Sequence, residues 1–182
     1  AFLAYLLIID FSVYVFHRLQ HRFDWWWALH AVHHSQREMT LWTDDRNHIL
    51  DGLLLALWEA LVALAIGVPG ELFFGVVLLM RGVESLSHAN VRFGFGWLGD
   101  RLLVSPRYHR IHHGIGVGHE GAARGCNFAT LFPVWDMLFG TAHFERAFPP
   151  TGIRDQLEGR DYGQGFWSQQ WLALRRMTGG AA

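Results

Sequence analysis

The apolar positions of this 182-residue chain fall into three long runs, and each run predicts a helix. These runs occupy residues 1–16, 49–68 and 71–87. Pro69 and Gly70 favour a turn, so the second and third runs are expected to form an antiparallel hairpin. About 20 apolar residues in a helix span the hydrocarbon core of a bilayer. The pattern therefore predicts an all-α membrane helical bundle with spans at about 1–16, 49–68 and 71–87.

Charged side chains within the hairpin leave a second interpretation open, a buried helical pair in a soluble protein. Asp51, Glu59, Arg81 and Glu84 interrupt the apolar runs. Charges inside a membrane bundle are rare and are usually paired. Glu59 and Arg81 lie at nearly equal distances from the turn, so we expect them to form a buried ion pair rather than to act in catalysis.

The length suits one domain, which we expect to extend over residues 1–182. The first apolar run begins at Ala1 without a methionine. We therefore expect that run to be the last part of a longer spanning helix, in a chain truncated at its N-terminus.

The positions of the arginines predict how the bundle is oriented. The chain has 15 arginines and no lysine, and the hairpin tip carries none of them. Arginine-rich flanks of spanning helices face the cytoplasm. The protein is thus expected to be integral to the membrane, with its clustered histidines on the cytoplasmic side. The arginines on that side are Arg18, Arg22, Arg37, Arg46, Arg92, Arg101, Arg107 and Arg110.

Composition removes several classes of protein. Hydrophobic residues make up 51% of the chain, which excludes a disordered chain, and the net charge of −1 disfavours nucleic-acid binding. The single cysteine, Cys126, excludes an intramolecular disulfide and any multi-cysteine metal site.

Aromatic residues beyond the spans fit two interpretations, contact with the membrane interface or packing on the bundle. Residues 166–177 likewise predict either an amphipathic surface helix or a helix packed on the domain. The tryptophans next to the spans are Trp25, Trp26, Trp27 and Trp42.

Histidine is the most informative residue type, because 8 of the 12 histidines fall in three short motifs. Residues three and four apart share one face of a helix, so their imidazoles can converge on one metal ion. The motifs are HxxxH at 17–21 and HxxHH at 30–34 and at 109–113. The ligand candidates are His17, His21, His30, His33, His34, His109, His112 and His113.

Two further histidines lie at the base of the predicted hairpin. An antiparallel arrangement brings His48 and His88 to within about three residues of the same depth. Adding them gives ten candidates, enough for two metals with five nitrogen ligands each. His119 and His143 lie outside the motifs and are expected to be surface or loop residues.

The type of metal follows only in part from the ligands, because imidazole suits zinc, copper, iron and nickel. A zincin needs HExxH, and Arg18 stands where its glutamate would be. A bis-histidine haem would leave most of the histidines unused. Two adjacent redox metals facing a lipid-accessible cavity instead suggest oxidation of a hydrocarbon.

The three histidine boxes resemble those of the fatty acid hydroxylase and sterol desaturase superfamily. The resemblance covers residues 17–141 and consists of HRLQH, HAVHHS, HRIHH and the closing segment NFATLFPVWDMLFGT at 127–141. Three residues separate the first pair of histidines, as in sterol desaturase members. The resemblance implies a bundle capped by two iron ions, which uses dioxygen and external electrons to hydroxylate or desaturate a lipid C–H bond.

This resemblance also implies the partners. No flavin, nicotinamide or haem motif is visible, so electrons are expected from a separate ferredoxin, cytochrome or reductase. A lipid substrate and the membrane complete the set, and no catalytic residue beyond the metal centre is expected.

Acidic and amide side chains near the boxes are candidates for orienting the ligand imidazoles by hydrogen bonds. Asn127 and Asp136 are expected in this role, although Asp136 could instead cap a helix or pair with an arginine. Asp44, Asp45 and Asp51 near His48 are further candidates.

Two other functions use the same histidines: a membrane zinc-binding or transport protein, and a metal-dependent membrane hydrolase. Transport predicts ligands near the bilayer midplane, whereas these motifs lie at the ends of the predicted spans.

Overall fold

In a computed structural model, the chain forms eight α-helices within the described residues, 1–121 and 123–179. The predicted all-α class is confirmed, since these residues contain no β-strand beyond one isolated bridge, Gly114 to Thr151. The remaining positions of the predicted domain, 122 and 180–182, lie outside the described residues. The helices are α1 Phe2–Arg22, α2 Asp24–His34, α3 Ile49–Ala65, α4 Gly70–Ser87, α5 Gly96–Leu102, α6 Pro106–His112, α7 Val134–Phe139 and α8 Phe166–Met177.

Helix α1 carries the first apolar run directly into the first histidine box. It continues beyond residue 16, because no glycine or proline interrupts it, and ends where Phe23 adopts an extended conformation. His17 and His21 therefore stand on its last two turns. Among the described helices, only α1 is both long and apolar enough to cross a membrane.

Helices α3 and α4 form the predicted hairpin; α3 ends three residues before its apolar run does, and α4 begins one residue before its run. Gly67 makes the turn with a φ of 68°, which an L side chain rarely adopts. Both helices leave large apolar side chains exposed, including Leu53, Leu64 and Phe74. The hairpin therefore offers an apolar outer face, although neither helix meets the same length and composition criteria for a span.

The predicted pairing of Glu59 with Arg81 is present across the hairpin. An Arg81 guanidinium nitrogen lies 3.4 Å from a Glu59 carboxylate oxygen, and the other lies 2.8 Å from Glu84. Glu59 is buried, but the Arg81 side chain is 39% exposed. The pair is thus less buried than expected, because Arg81 is shared with a second carboxylate at the edge of the cavity described below.

The core joins α1 to the hairpin and to the closing segment 127–141. Leu6, Ile9 and Val13 of α1 pack against Val76 and Met80 of α4. Leu131 of the closing segment belongs to the same cluster, together with Ala63 of α3. This packing holds Leu131 of the closing segment against α1, before the turns that carry His17 and His21.

Asp10 fixes the closing segment to α1 from a fully buried position. Its carboxylate accepts hydrogen bonds from the Thr130 hydroxyl at 3.0 Å and from the Trp135 indole at 2.7 Å. It also accepts from the backbone N–H groups of Leu131 and Phe132. A buried carboxylate is stable only with such donors, so Asp10 specifies where the segment lies.

Helix α8 packs one face on α2, and its other face is exposed in the described structure. Ala173 is buried against Leu29 and Val32. Trp167 and Trp171 point outward. The helix is therefore packed on the domain through one side and is amphipathic, with an exposed aromatic side opposite.

The tryptophans next to the spans divide in the same way. Trp26 is buried and donates to Asp51 at 2.9 Å, and Trp27 is half-buried against histidine rings. Trp25 and Trp42 are exposed.

Replacing Asp10 with alanine is expected to lower the free energy of unfolding by about 3 kcal/mol, because four donors, two of them on buried residues, lose a charged acceptor. Denaturation of the detergent-solubilised protein measures this change. Asp24→Ala is the control: Asp24 is exposed and, among the described residues, forms an ion pair only with Arg124, so a loss below about 0.5 kcal/mol is expected. Equal losses in both variants would contradict the anchoring role of Asp10.

Candidate metal centre

The three histidine boxes meet at one end of the bundle. HxxxH lies on the final turns of α1, the first HxxHH ends α2, and the second HxxHH ends α6. Every histidine of these boxes is buried. Three separate segments therefore direct their imidazoles into one volume, as their spacing predicts.

These imidazoles, together with His88, form two adjacent groups. The candidate ligand atoms within each group all lie within 4.8 Å of one another. The rings of His34 and His113 stack at 4.4 Å and connect the groups. The five-histidine group contains His17, His21, His30, His34 and His112. The four-histidine group contains His33, His88, His109 and His113.

Three rings of the five-histidine group are oriented by one short stretch of backbone. The Nδ1 atoms of His21, His112 and His17 lie 2.8–3.0 Å from the carbonyl oxygens of residues 124, 126 and 128, respectively. A carbonyl only accepts, so each Nδ1 must carry the proton. In the neutral imidazole the Nε2 lone pair is then free to bind a metal.

The backbone at 124–128 directs these carbonyls at the rings by adopting unfavourable backbone angles. Arg124 and Asn127 both have a φ of 55°, in the left-handed region that residues other than glycine seldom adopt. Asn127 offsets this cost by donating its side-chain amide to the carbonyls of Tyr108 and His143 at 2.9 Å. Its amide oxygen accepts from the backbone N–H of His143.

Asp51 orients a fourth ring of the five-histidine group. Its carboxylate lies 3.0 Å from Nδ1 of His30 and also accepts from Gln20 and Trp26 at 2.9 Å. Asp51 belongs to the first turn of α3, so this contact ties the hairpin to α2. A carboxylate behind a histidine ligand fixes its tautomer and raises its basicity.

In the four-histidine group, the Nε2 atoms of neighbouring rings face one another. Nε2 of His88 lies 3.2 Å from Nε2 of His33 and 3.1 Å from Nε2 of His109. Nε2 of His113 is also 3.1 Å from Nε2 of His109. The Nδ1 atom of His88 donates to the Glu84 carbonyl at 2.8 Å, which leaves its Nε2 as an acceptor.

These nitrogen positions fit a metal ion. Imidazole binds zinc at about 2.0–2.1 Å, which separates neighbouring ligand nitrogens by about 2.9–3.4 Å. The contacts in the four-histidine group fall within this range. In the five-histidine group, Nε2 of His17, His21, His30, His34 and His112 is buried without a hydrogen-bond partner among the described residues. Lone pairs converging in this way are stabilised when they share a cation.

The environment also favours the neutral form of five of the imidazoles. Burial, and then the nearby imidazoles, lower the pKa of five histidines on or next to α2 and α6 well below the usual value. Metal binding requires the neutral ring, so these histidines need not lose a proton first at neutral pH. The histidines concerned are His33, His34, His109, His112 and His113.

A cavity of about 430 Å³ opens beside both groups. Its polar wall includes His17 and His30 of the five-histidine group and His33 and His109 of the four-histidine group. Its apolar wall consists of Val13, Phe16, Ile49, Leu55 and Phe166. A molecule in this cavity would thus place an apolar segment beside both histidine groups.

A sequence model of the fatty acid hydroxylase family matches residues 2–141. The chain belongs to this family. The match includes all three boxes, His88 and the closing segment, so both histidine groups lie within the fatty acid hydroxylase region. Helix α8 lies outside it.

Curated relatives of this fatty acid hydroxylase family member act on different lipids by name. Ornithine lipid hydroxylase OlsE of Rhizobium tropici is 32% identical over 76% of the chain, and human alkylglycerol monooxygenase is 30% identical over 75%. Human cholesterol 25-hydroxylase is 28% identical over 75%. The chain spans 40%, 29% and 48% of these proteins, respectively, which is less than half of each. No solved structure matches the chain.

One histidine predicted as a ligand, His48, lies outside both groups. It is the N-cap residue of α3, where its Nδ1 accepts from the Leu50 N–H at 3.1 Å. Its Nε2 lies 3.2 Å from the carbonyl of Gln170 in α8. Both ring nitrogens thus face backbone groups, and the depth argument that paired His48 with His88 did not account for capping.

Asn127 and Asp136, which were expected to bond the imidazoles directly, instead bond the backbone whose carbonyls orient the imidazoles. Asp136 accepts from the N–H groups of residues 128 and 129 and from Tyr108 and Thr141. Asn127 likewise contacts no imidazole ring, because its bonds go to backbone groups. Both therefore hold the 124–128 stretch, whereas Asp51 makes the direct contact with an imidazole.

The two histidines that were not predicted as ligands, His119 and His143, have different surroundings. The His143 side chain is 41% exposed, and its Nε2 lies 2.9 Å from a carboxylate oxygen of Glu145. His119 is half-buried, with its ring 5.4 Å from those of Trp27 and His34. Its position beside the five-histidine group follows from the 114–121 loop, which has no periodic pattern that would predict it.

Replacing His112 with alanine is expected to reduce bound iron per chain, because the five-histidine group loses a nitrogen. Elemental analysis after anaerobic loading with Fe²⁺ measures this. His143→Ala should retain the full amount. His48→Ala should also retain it, while losing about 1 kcal/mol of stability with the helix cap. Iron loss in His48→Ala equal to that in His112→Ala would contradict the division of roles.

Asp51→Asn keeps the shape of the side chain but removes the charge behind His30. Metal affinity is expected to fall by about 10–100-fold, the usual effect of losing such a partner. Competition with a chelator measures the affinity. Asp45→Asn is the matched control, because Asp45 lines the same cavity without bonding an imidazole among the described residues. Unchanged metal affinity in Asp51→Asn would show that Asp51 does not support the metal site.

Proposed function

We propose that this chain is the catalytic part of a membrane-bound, dioxygen-dependent di-iron oxygenase that hydroxylates a lipid C–H bond. The observation that carries the proposal is the pair of adjacent buried histidine groups on the wall of a partly apolar cavity. Family membership and the names of the relatives support a lipid as the substrate. Because these names describe hydroxylases and a monooxygenase, hydroxylation is favoured over desaturation.

The proposed ligands are the nine histidines of the two groups, one iron ion to each group. Iron bound there would supply the oxidising power that an unactivated C–H bond requires when dioxygen is the oxidant. The protein supplies no acid–base group to the substrate carbon in this proposal. Its contribution is to hold the ions, position the lipid and exclude water.

Named residues carry out each of these tasks. The 124–128 carbonyls and Asp51 keep the Nδ1 protons in place, so the Nε2 atoms remain directed at the ions. Val13, Phe16 and Leu55 line the cavity with apolar side chains, which would contact the hydrocarbon. Their apolar surfaces exclude water from the volume in which the C–H bond lies.

We further propose that α1 and the α3–α4 hairpin are embedded in the bilayer. The apolar length of α1 and the exposed leucines of the hairpin support this placement. By the positive-inside rule, the arginine-rich ends and the histidine groups would face the cytoplasm. An external ferredoxin, cytochrome or reductase would deliver electrons from that side.

The direct test is oxygen incorporation in membranes that contain the iron-loaded protein. With ¹⁸O₂ and a reductant system, wild-type membranes are expected to yield a lipid alcohol bearing one ¹⁸O atom. His33→Ala should yield none, because the four-histidine group loses a ligand, whereas His143→Ala should match the wild type. Lipid mass spectrometry measures the product.

Other outcomes identify the rival functions. An alkene without ¹⁸O would show desaturation instead of hydroxylation. Zinc in freshly prepared membranes, with no substrate-dependent oxygen uptake, would favour a zinc-binding protein or a hydrolase over the oxygenase.

A further inference from the structure

We propose that the outer aromatic face of α8 is a lipid-binding surface that holds the mouth of the cavity at the bilayer interface. This inference rests on the membrane placement proposed above. It concerns a helix outside the residues matched by the family model, so the family alone does not imply it.

The outer face has the composition of a membrane-interface helix. Trp167 and Trp171, four residues apart, are 76% and 62% exposed. Arg175 continues the same exposed row after another four residues. The helix contains two arginines and no acidic residue. Indole rings favour the boundary between headgroups and acyl chains, while arginine reaches anionic headgroups.

The inner face of α8 is fixed to the bundle, so the tryptophans are held in place. Ala173 packs on α2, as described above. The Gln170 side chain accepts from the first N–H of α3, that of Ile49, at 2.8 Å, and the Gln170 carbonyl lies against His48. At the other end, Arg176 lies over the Tyr162 ring, 4.2 Å from its centroid.

This attachment places α8 at the mouth of the cavity. Phe166, one turn before Gln170, lines the cavity together with Ile49. Ile49 also begins the exposed apolar row of α3, which continues through Leu53 and Leu57. The aromatic face of α8 therefore adjoins the end of an apolar surface that is already proposed to contact lipid. Continuity with that surface and the pairing of tryptophan with arginine favour lipid over a second copy of the chain.

The consequence for substrate access is specific. A lipid in the adjacent leaflet could move past Phe166 into the cavity without crossing water, because the mouth opens where acyl chains begin. The proposal therefore assigns Trp167 and Trp171 to positioning the cavity mouth, without contact to the histidine groups.

Depth-dependent quenching tests the placement without requiring metal or turnover. Single cysteines replace Trp167, Trp171 or, as a control, the exposed Glu158 in a Cys126→Ser background, and each carries a nitrobenzoxadiazole label. The proteins are reconstituted in vesicles of phosphatidylcholine and phosphatidylglycerol. Labels at 167 and 171 are expected to be quenched by spin-labelled lipid and protected from aqueous iodide, and the label at 158 to show the reverse.

Two results would overturn the proposal. Equal iodide quenching at all three positions would place α8 in water. Protection from both quenchers, with self-quenching between labels, would show that a second copy covers the face.

The position of α8 at the membrane and the oxygenase activity are tested independently, so one can be contradicted while the other stands. If lipid quenches the labels at 167 and 171 but the protein shows no oxygen uptake, this inference stands and the proposed function is contradicted. As a second readout, Trp167→Ala/Trp171→Ala is expected to raise KM for vesicle-borne lipid several-fold with bound iron unchanged. An unchanged KM would contradict the role in access.

Discussion

Hydrogen bonds from imidazole Nδ1 atoms to fixed oxygen acceptors are the interactions on which the rest of this structure depends. A histidine ring has two nitrogens and can turn about two bonds, so clustering alone does not aim a lone pair. Carbonyls spaced two residues apart at 124, 126 and 128 give three rings the same tautomer, and Asp51 gives it to a fourth. Asn127 and Asp136 act one layer further out, because they hold the backbone that presents those carbonyls, and Asp10 fixes the residues that follow, 130–132.

The acceptors behind the rings also bear on the charge of the site. Neutral imidazoles contribute no negative charge, so two metal ions would bring several positive charges into a buried volume. A buried carboxylate stands directly behind one of the rings on the hairpin side, because Asp51 bonds His30. Asp51 thus places compensating charge outside the ligand set, where it does not occupy a position at the metals.

Much of the fold and of the centre could be predicted from the sequence, because both depend on periodicity. Apolar runs interrupted by Pro69 and Gly70 predict the hairpin, and histidines at helical spacing predict the converging boxes. The carbonyl acceptors could not be predicted, since a backbone carbonyl has no signature in residue type and its direction depends on the left-handed φ of Asn127. His48 was assigned by depth along a hairpin, but depth does not determine which way a side chain points. At a helix N-terminus the free N–H groups attract the ring.

The central claim is that two ions lie between these rings, one in each histidine group. Anomalous scattering at the iron absorption edge, from crystals of the iron-loaded protein, tests it directly. The account predicts two peaks, each about 2.0–2.2 Å from the Nε2 atoms of its own group, separately surrounded by five and by four histidines. A single peak, or iron bound mainly at surface residues such as His143, would contradict it.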